Sequence, residues 1–396
     1  MMTGMQLKTL AQQVQTPAYV FDLDEFCRRA ERVKQAFGEK TGLCFSIKAN
    51  PFLLAALPDV FDKIEVCSPG ELTICEKTGA DMSMVIFSGV NKTAADVERA
   101  MDDHVGVFTA ESLLHLQLIQ AAAAKRGTRV PVLLRLTAGS QFGMDEQEVL
   151  QIIRNRDAYT GIEIVGLHYF SGTQKRKVAL IEKELDYLLQ FVAQVEQDHG
   201  FKLERLEYGT GLAVDYFAAD AEELEMARLE AVGAKIREVS DKIDLTVEMG
   251  RFFAAPCGYY FTKVMDTKTN IGVNYAIVDG GLNQLKYDGQ IQGMQIPKIS
   301  HIKWQDAAAE NMEKWTLCGS LCTTADVLTR NAELAGLEMG DVLVFERTGA
   351  YSVMEGMAVF LSREMPEVSL YSEAEGLLKV RQMLATDVFN TPVIRR

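Results

Sequence analysis

Apolar positions along the first two thirds of the chain alternate between two spacings. Short runs rich in β-branched and aromatic residues recur at Leu43–Ile47, Lys63–Val66, Met84–Phe87, Val105–Phe108, Pro131–Leu136, Glu163–Tyr169, Leu203–Tyr208 and Asp244–Met249. Between them, Ala94–Met101, Glu111–Ala124, Val178–Gln197 and Ala218–Lys242 place apolar residues three or four apart, the spacing of one helix face. Strands alternating with helices predict a parallel sheet. Eight such units within roughly 200 residues predict a closed barrel rather than an open sheet.

The pattern changes after Pro256. Tyr259–Met265, Tyr275–Val278, Lys314–Cys318, Val342–Glu346 and Ala358–Ser362 have strand character without regular helices between them, and Ser372–Met383 predicts a short closing helix. The early strand Ala18–Asp22 precedes the barrel and is expected to pair with this later part. The fold class expected is therefore α/β. A (β/α)8 TIM-like barrel spans residues 24–256, and a β-rich domain, barrel or sandwich, is built from residues 1–23 and 257–396.

Polar residues and glycines gather just after the predicted strands. Lys48 ends the first, and Cys67, Ser68 and Gly70 follow the second. Arg135 and His168 lie at or near the ends of the fifth and sixth. Gly209, Thr210, Gly211 and Leu212 follow the seventh, and Glu248, Gly250 and Arg251 end the eighth. The C-terminal ends of barrel strands share one mouth, where barrel enzymes carry out their chemistry. Each residue alone also has an ordinary reading: a solvated lysine, a satisfied core histidine, a salt-bridged glutamate, a tight turn. A lysine desolvated at a strand end has a lowered pKa and becomes a nucleophile for a carbonyl. A histidine can lie flat against a planar cofactor, and a carboxylate beside a pyridine nitrogen keeps that nitrogen protonated. Backbone N–H groups of a glycine turn can cradle a phosphate. Taken together at one mouth, these groups fit pyridoxal 5'-phosphate (PLP).

Composition narrows the classes. The chain has 396 residues, 48% of them hydrophobic, enough for a sizeable core. A formal charge of -14 argues against non-specific nucleic-acid binding. No apolar run is long enough for a signal peptide or a membrane span. The seven cysteines (27, 44, 67, 75, 257, 318 and 322) are scattered, which is expected of reduced thiols in the cytoplasm. The five histidines (104, 115, 168, 199 and 301) show no paired metal-ligand spacing, so no metal is expected.

Several segments resemble the diaminopimelate/ornithine decarboxylase family, PLP enzymes with an alanine-racemase-like barrel, and in particular its atypical diaminopimelate-decarboxylase-like members. These are Thr16–Asp22, Phe45–Asn50, Val66–Leu72, Gln141–Met144, His168–Gln174, Glu248–Arg251, Leu321–Asp326 and Gly349–Tyr351. The resemblance implies that Lys48 is the Schiff-base lysine, that His168 packs against the ring and that Glu248 stabilises the pyridinium. It implies phosphate contacts from Gly209, Thr210, Gly211, Leu212, Gly250, Arg251 and Tyr351. It makes Cys322 the general acid that protonates carbon after loss of carbon dioxide, on a loop contributed by the second subunit of a homodimer. Arg135, Tyr287 and Thr323 are its candidate substrate contacts.

The chain departs from the family where the substrate is chosen. The glycine run carries Thr210 where three glycines are usual. Thr323 follows Cys322, where the family's diaminopimelate enzymes have glutamate and ornithine-type enzymes aspartate. After Asp279-Gly280-Gly281 the chain reads Leu282 to Asp288 without arginine, so the family's clamp for a distal carboxylate is missing. The expected function is PLP-dependent removal of the α-carboxylate from an amino acid, such as one tethered to a carrier protein or a natural-product intermediate, rather than from free diaminopimelate. The alternatives are a diaminopimelate decarboxylase of lysine synthesis, a racemase, which Glu248 and Cys322 oppose, a PLP-binding homologue without activity, and a metal-dependent barrel enzyme.

Overall fold

The computed structural model describes residues 2–304 and 311–393. The chain divides into two compact units, one of residues 29–214 and 222–252, the other of residues 1–28, 215–221 and 253–396.

Strand β1 (Ala18–Asp22) belongs to the second unit. The first unit is a closed, all-parallel barrel of eight strands: β2 (Gly42–Ser46), β3 (Lys63–Val66), β4 (Val85–Phe87), β5 (Val107–Ala110), β6 (Val130–Arg135), β7 (Ile162–Phe170), β8 (Arg205–Gly209) and β9 (Asp244–Met249). β9 pairs back onto β2, with Cys44 opposite Glu248. The expected barrel is present, and its strands match the apolar runs to within a few residues. The strands are apolar almost throughout because helices cover their outer faces. Those helices begin and end on ordinary chemistry. Thr93 and Asp96 form a reciprocal cap for helix Ala94–Asp102. Ser112 caps helix Leu113–Arg126, which Gly127 ends in the left-handed region.

Side chains two apart on a strand point to the same face. Cys44, Ile86, Val107 and Leu133 form an apolar layer inside the barrel. Two residues further toward the C-terminal ends come Ser46, Ser88, Thr109 and Arg135, all buried. The barrel interior thus changes from apolar to polar in one step along its axis, and the polar layer lies at the end where the candidate residues gather.

The second unit is a nine-stranded sheet. Its strands β10 (Gly258–Asn270), β11 (Val273–Val278), β12 (Ile299–Ile302), β13 (Met312–Cys318), β14 (Val327–Ala335), β15 (Val342–Glu346), β16 (Glu367–Ser372) and β17 (Gly376–Arg381) join β1 in the order β14-β13-β11-β10-β1-β16-β17, with β15 also pairing β10 and β12. β1 lies antiparallel to β10 and parallel to β16, as its early position leads one to expect. Helix Gly4–Ala11 packs Leu7 and Leu10 against Ala18, Val20, Tyr259, Phe261, Val342 and Val344.

Two predicted elements differ from the structure. Ser372–Met383 is not a helix: Leu370 pairs with Leu378 and Ser372 with Gly376 across a hairpin, so sheet pairing overrides local helical spacing. Ala358–Ser362 is not a strand but holds a short turn with Leu361 at φ 57. The segment 215–221 groups with the β-rich unit, not with the barrel residues that flank it, because the Tyr216 and Phe217 rings pack on Tyr287 at 5.6 and 5.8 Å.

Candidate active site

Lys48 sits one residue past the end of β2 plus its first turn residue, in the 3-10 turn Ile47–Ala49. Its Nζ lies 2.5 Å from Glu65 Oε2, 3.3 Å from Glu248 Oε1 and 3.5 Å from Cys67 Sγ. Ser46 Oγ donates to Glu248 Oε1 at 2.9 Å, and His168 Nε2 lies 3.0 Å from Glu248 Oε2. Glu248 is therefore held from three sides. Burial pushes its pKa up, but the Lys48 ammonium and the His168 contact outweigh that and hold it well below the usual carboxylate range. The expectation of a lowered pKa at Lys48 is corrected here. Burial does oppose its charge, yet Glu65 and Glu248 prevail and hold the amine well above the usual lysine value. The side chain as a whole keeps 37% of its surface exposed.

A second polar group surrounds Arg135. Its guanidinium donates to Glu111 Oε1 at 2.8 Å and lies over the Phe142 ring, 4.9 Å from the centroid. Lys92, buried nearby, donates to the Gly89 carbonyl at 2.6 Å, and burial brings its pKa down to about 8. Burial, helped by Lys92, brings His115 down to about 4.

The turn after β8 is shaped by close backbone approach. Gly211 has φ +60, and a Cβ there would stand 1.9 Å from the Gly172 carbonyl oxygen, so only glycine fits. The Lys175 N–H donates to the Gly211 carbonyl at 2.8 Å. Thr210 is fully buried, and its hydroxyl accepts from Leu212 N at 3.3 Å. A Cβ on Gly250 would meet Ala49 Cβ at 2.7 Å and Ser46 O at 2.9 Å. Arg251 follows at once, opening the helical turn Arg251–Ala254.

The remaining candidates belong to the β-rich unit. Cys322 is exposed. Its loop is pinned by the Asp326 carboxylate, which accepts from Leu321 N and Leu282 N, both at 2.8 Å. Thr323 uses its hydroxyl within the same loop, accepting from Ala325 N at 3.3 Å. Tyr351 adopts φ 65 at the head of helical turn Ser352–Glu355. The reading of Tyr287 as a substrate contact is corrected: the side chain is 4% exposed, its hydroxyl donates to the Glu346 carbonyl at 2.6 Å, and its ring packs with Tyr216 and Phe217. An aromatic residue in a glycine-bordered segment looks the same in sequence whether it lines a pocket or fills a core.

The family described as "Pyridoxal-dependent decarboxylase, pyridoxal binding domain" matches residues 23–255. The chain belongs to the pyridoxal-dependent decarboxylases. Similar curated members include the diaminopimelate decarboxylase of Aquifex aeolicus, 25% identical over 96% of this chain and 92% of that protein. The L-glutamyl-[BtrI acyl-carrier protein] decarboxylase of Niallia circulans is also 25% identical, over 98% of this chain and 96% of its own. Among solved structures, the diaminopimelate decarboxylase of M. jannaschii in complex with L-lysine shares the fold with a TM-score of 0.84 at 22% identity, covering 98% of this chain and 94% of that one.

Membership makes this an amino-acid decarboxylase that uses PLP. The barrel residues fit that coenzyme on three observations. A lysine amine faces the mouth beside two carboxylates. His168 Nδ1 is buried without a hydrogen-bond partner among the described residues, as expected of a ring used for its face. Gly211 and Gly250 bring bare backbone where a side chain could not stand. Sequence reasoning missed Glu65, Glu111, Lys92 and Glu207. Glu65 and Glu207 sit inside strands, where an acid within an apolar run was the signal available, while Glu111 and Lys92 lie in the segments beyond β5 and β4 and carry no such signal. No described helix is long and apolar enough to cross a membrane.

Proposed function

We propose that Lys48, His168 and Glu248, with the backbone of Gly209–Leu212 and Gly250 and the side chains of Arg251 and Tyr351, hold PLP, and that Cys322 is the acid of the reaction. The observation that carries this reading is the cluster in which Lys48 faces both Glu65 and Glu248 while His168 holds Glu248 from the other side. When bound, PLP supplies an electron sink for the pair left behind as the α-carboxylate departs. This chain's own groups do the rest. Lys48 would hold the coenzyme through its amine, with the Glu65 and Glu248 carboxylates within reach of its protons. Glu248, already ionised, balances a positive ring nitrogen. His168, buried and held by Glu248, would pack against the coenzyme ring and keep water from it. The Cys322 thiol delivers a proton to the α-carbon. Family resemblance supports its arrival from a second subunit, so the working form proposed is a homodimer with shared sites, in the cytoplasm.

The substrate proposed is an amino acid whose distal end carries no free charge to be clamped, such as an aminoacyl group tethered to a carrier protein. Support comes from Thr323, whose hydroxyl is used within its loop. It comes also from the segment after Asp279, where Gln284 donates to the Glu364 carbonyl and Lys286 pairs with Glu355 at 2.8 Å. The carrier-protein relative of Niallia circulans points the same way. Loss of a charge-assisted contact costs about 1.5–3 kcal/mol, roughly a 10- to 150-fold weaker use of a doubly charged amino acid. The second reading, diaminopimelate itself, is favoured by the Aquifex aeolicus relative. Carbon dioxide release from free diaminopimelate and from a carrier-bound aminoacyl substrate separates the two. Turnover of free diaminopimelate at ordinary enzyme rates, about 1–10³ per second, contradicts the tethered substrate.

A further inference from the structure

Glu207 is a buried acid at the polar end of the barrel with no part in the proposed chemistry. It points inward from β8, two residues before the Gly209 turn, in register with His168 on β7 and Thr246 on β9. It is 2% exposed, and neither carboxyl oxygen has a hydrogen-bond partner among the described residues. Its carboxyl, the His168 ring and the Glu248 carboxylate have atoms within 4.8 Å of one another. The other titratable groups that face it are Cys44 and Lys48 from the β2 side, and Lys63 and Glu65 from β3.

The charges do not balance if every acid is ionised. Glu65 and Glu248 already share the Lys48 ammonium at 2.5 and 3.3 Å. Ser46 and His168 take up the contacts left on Glu248. A third carboxylate would lie buried with no donor of its own. Two carboxyls this close in a water-poor site ionise one at a time. The one with donors and a cation keeps the charge, and that is Glu248. A proton on Glu207 provides the donor that its surroundings lack and an acid O–H to turn toward Glu248.

We propose that Glu207 is the protonated half of a one-proton carboxyl pair with Glu248, a positioning residue that keeps the pair's single negative charge on Glu248. The assignment of Glu248 to the coenzyme's ring nitrogen is the reading this deepens, but the protonation of Glu207 stands in the apoprotein by itself. Burial and the neighbouring Glu248 and Glu65 charges all push the Glu207 pKa well above the usual carboxylate range, which agrees with the geometry.

Infrared spectra of the apoprotein at pH 8 test the proton directly. Wild type is expected to show the carbonyl stretch of a protonated carboxylic acid, and Glu207→Gln to lose it. Absence of the band from wild type, or its survival in Glu207→Gln, overturns the proposal. The wild-type spectrum suffices should the variant not fold. Denaturation of the apoprotein supplies a second readout. The folded pKa of Glu207 lies above its unfolded value of about 4.3, so wild type loses stability as pH rises through that value and onward. Glu207→Gln has no such proton to hold, and its denaturation midpoint is expected to gain on wild type as pH rises from the unfolded value toward the folded one. A constant gap, the mark of a merely structural role, overturns it. Coenzyme affinity tests the positioning: Glu207→Leu, which has no donor, is expected to raise the PLP dissociation constant about tenfold or more, and Glu207→Gln, which keeps one, to restore it. An unchanged constant in Glu207→Leu overturns that role while leaving the assignment of Lys48 as it stands.

Discussion

The polar layer of the barrel and the Cys322 loop of the β-rich unit carry chemistry in opposite ways. In the barrel, Glu65 and His168 hold Lys48 and Glu248 by direct contacts, and three of the four are almost wholly buried. A change at Glu65 or Glu248 alters the charge balance at Lys48. In the loop, Cys322 is exposed and its position rests on backbone bonds to one carboxylate, Asp326. A change at Cys322 is local. The first region holds its groups ready by electrostatics, and the second holds its group by loop geometry. Substitutions in the first therefore move pH profiles and coenzyme binding together, whereas in the second a change at Cys322 moves the chemical step alone and a change at Asp326 loosens the loop.

The largest effect expected is that of Lys48→Ala. Loss of the amine removes the covalent coenzyme absorbance and lowers decarboxylation on the order of 10³-fold or more, as for other missing nucleophiles or acid–base groups. Absorbance and carbon dioxide release read both. Cys322→Ala sharpens the contrast: product formation falls about 10²–10⁴-fold, while the denaturation midpoint and coenzyme absorbance stay at wild-type values, because the side chain is exposed. A drop in stability there breaks the comparison. Asp326→Ala leaves Leu321 N and Leu282 N without their acceptor and costs about 1.5–3 kcal/mol per lost charged contact. Its effect is read by denaturation, and the barrel's coenzyme absorbance is expected to persist.

Glu65→Gln has the smallest effect and the most specific one. Glu65 and Glu248 raise the folded pKa of Lys48 above its unfolded value. That pairing stabilises the fold at all pH values below the unfolded amine's, about 10.4, and the gain is lost as pH rises through the folded pKa. Removing the Glu65 charge lowers the folded pKa. The pH midpoint for covalent attachment of PLP to the apoprotein is then expected to move down, followed by absorbance. A midpoint unmoved, or moved up, shows that Glu65 does not set the amine's charge.

Much of the barrel was legible because each strand is a short apolar run and each intervening helix keeps its spacing. The hairpin at Glu367–Ser372 and Gly376–Arg381 was not, because Ser369 and Leu370 owe their state to pairing with β1 and β17 and not to local preference. Lys48, His168 and Glu248 stand out in the sequence because they follow or end strands and sit in motifs. Glu65 and Glu207 were passed over because they lie within strands, where a single acid carries no periodic signal. Tyr287 was misplaced for the converse reason: its segment has a functional look, and only packing against Tyr216 and Phe217 shows what the ring does.

The central claim is that the amine of residue 48 bonds the coenzyme. Reconstitution of the purified protein with PLP, fixation of the carbon–nitrogen bond with borohydride, and peptide mass mapping test it most directly. A single pyridoxyl-modified peptide with the label on Lys48 is expected. A label on any other lysine, or a protein that takes up no label, contradicts it.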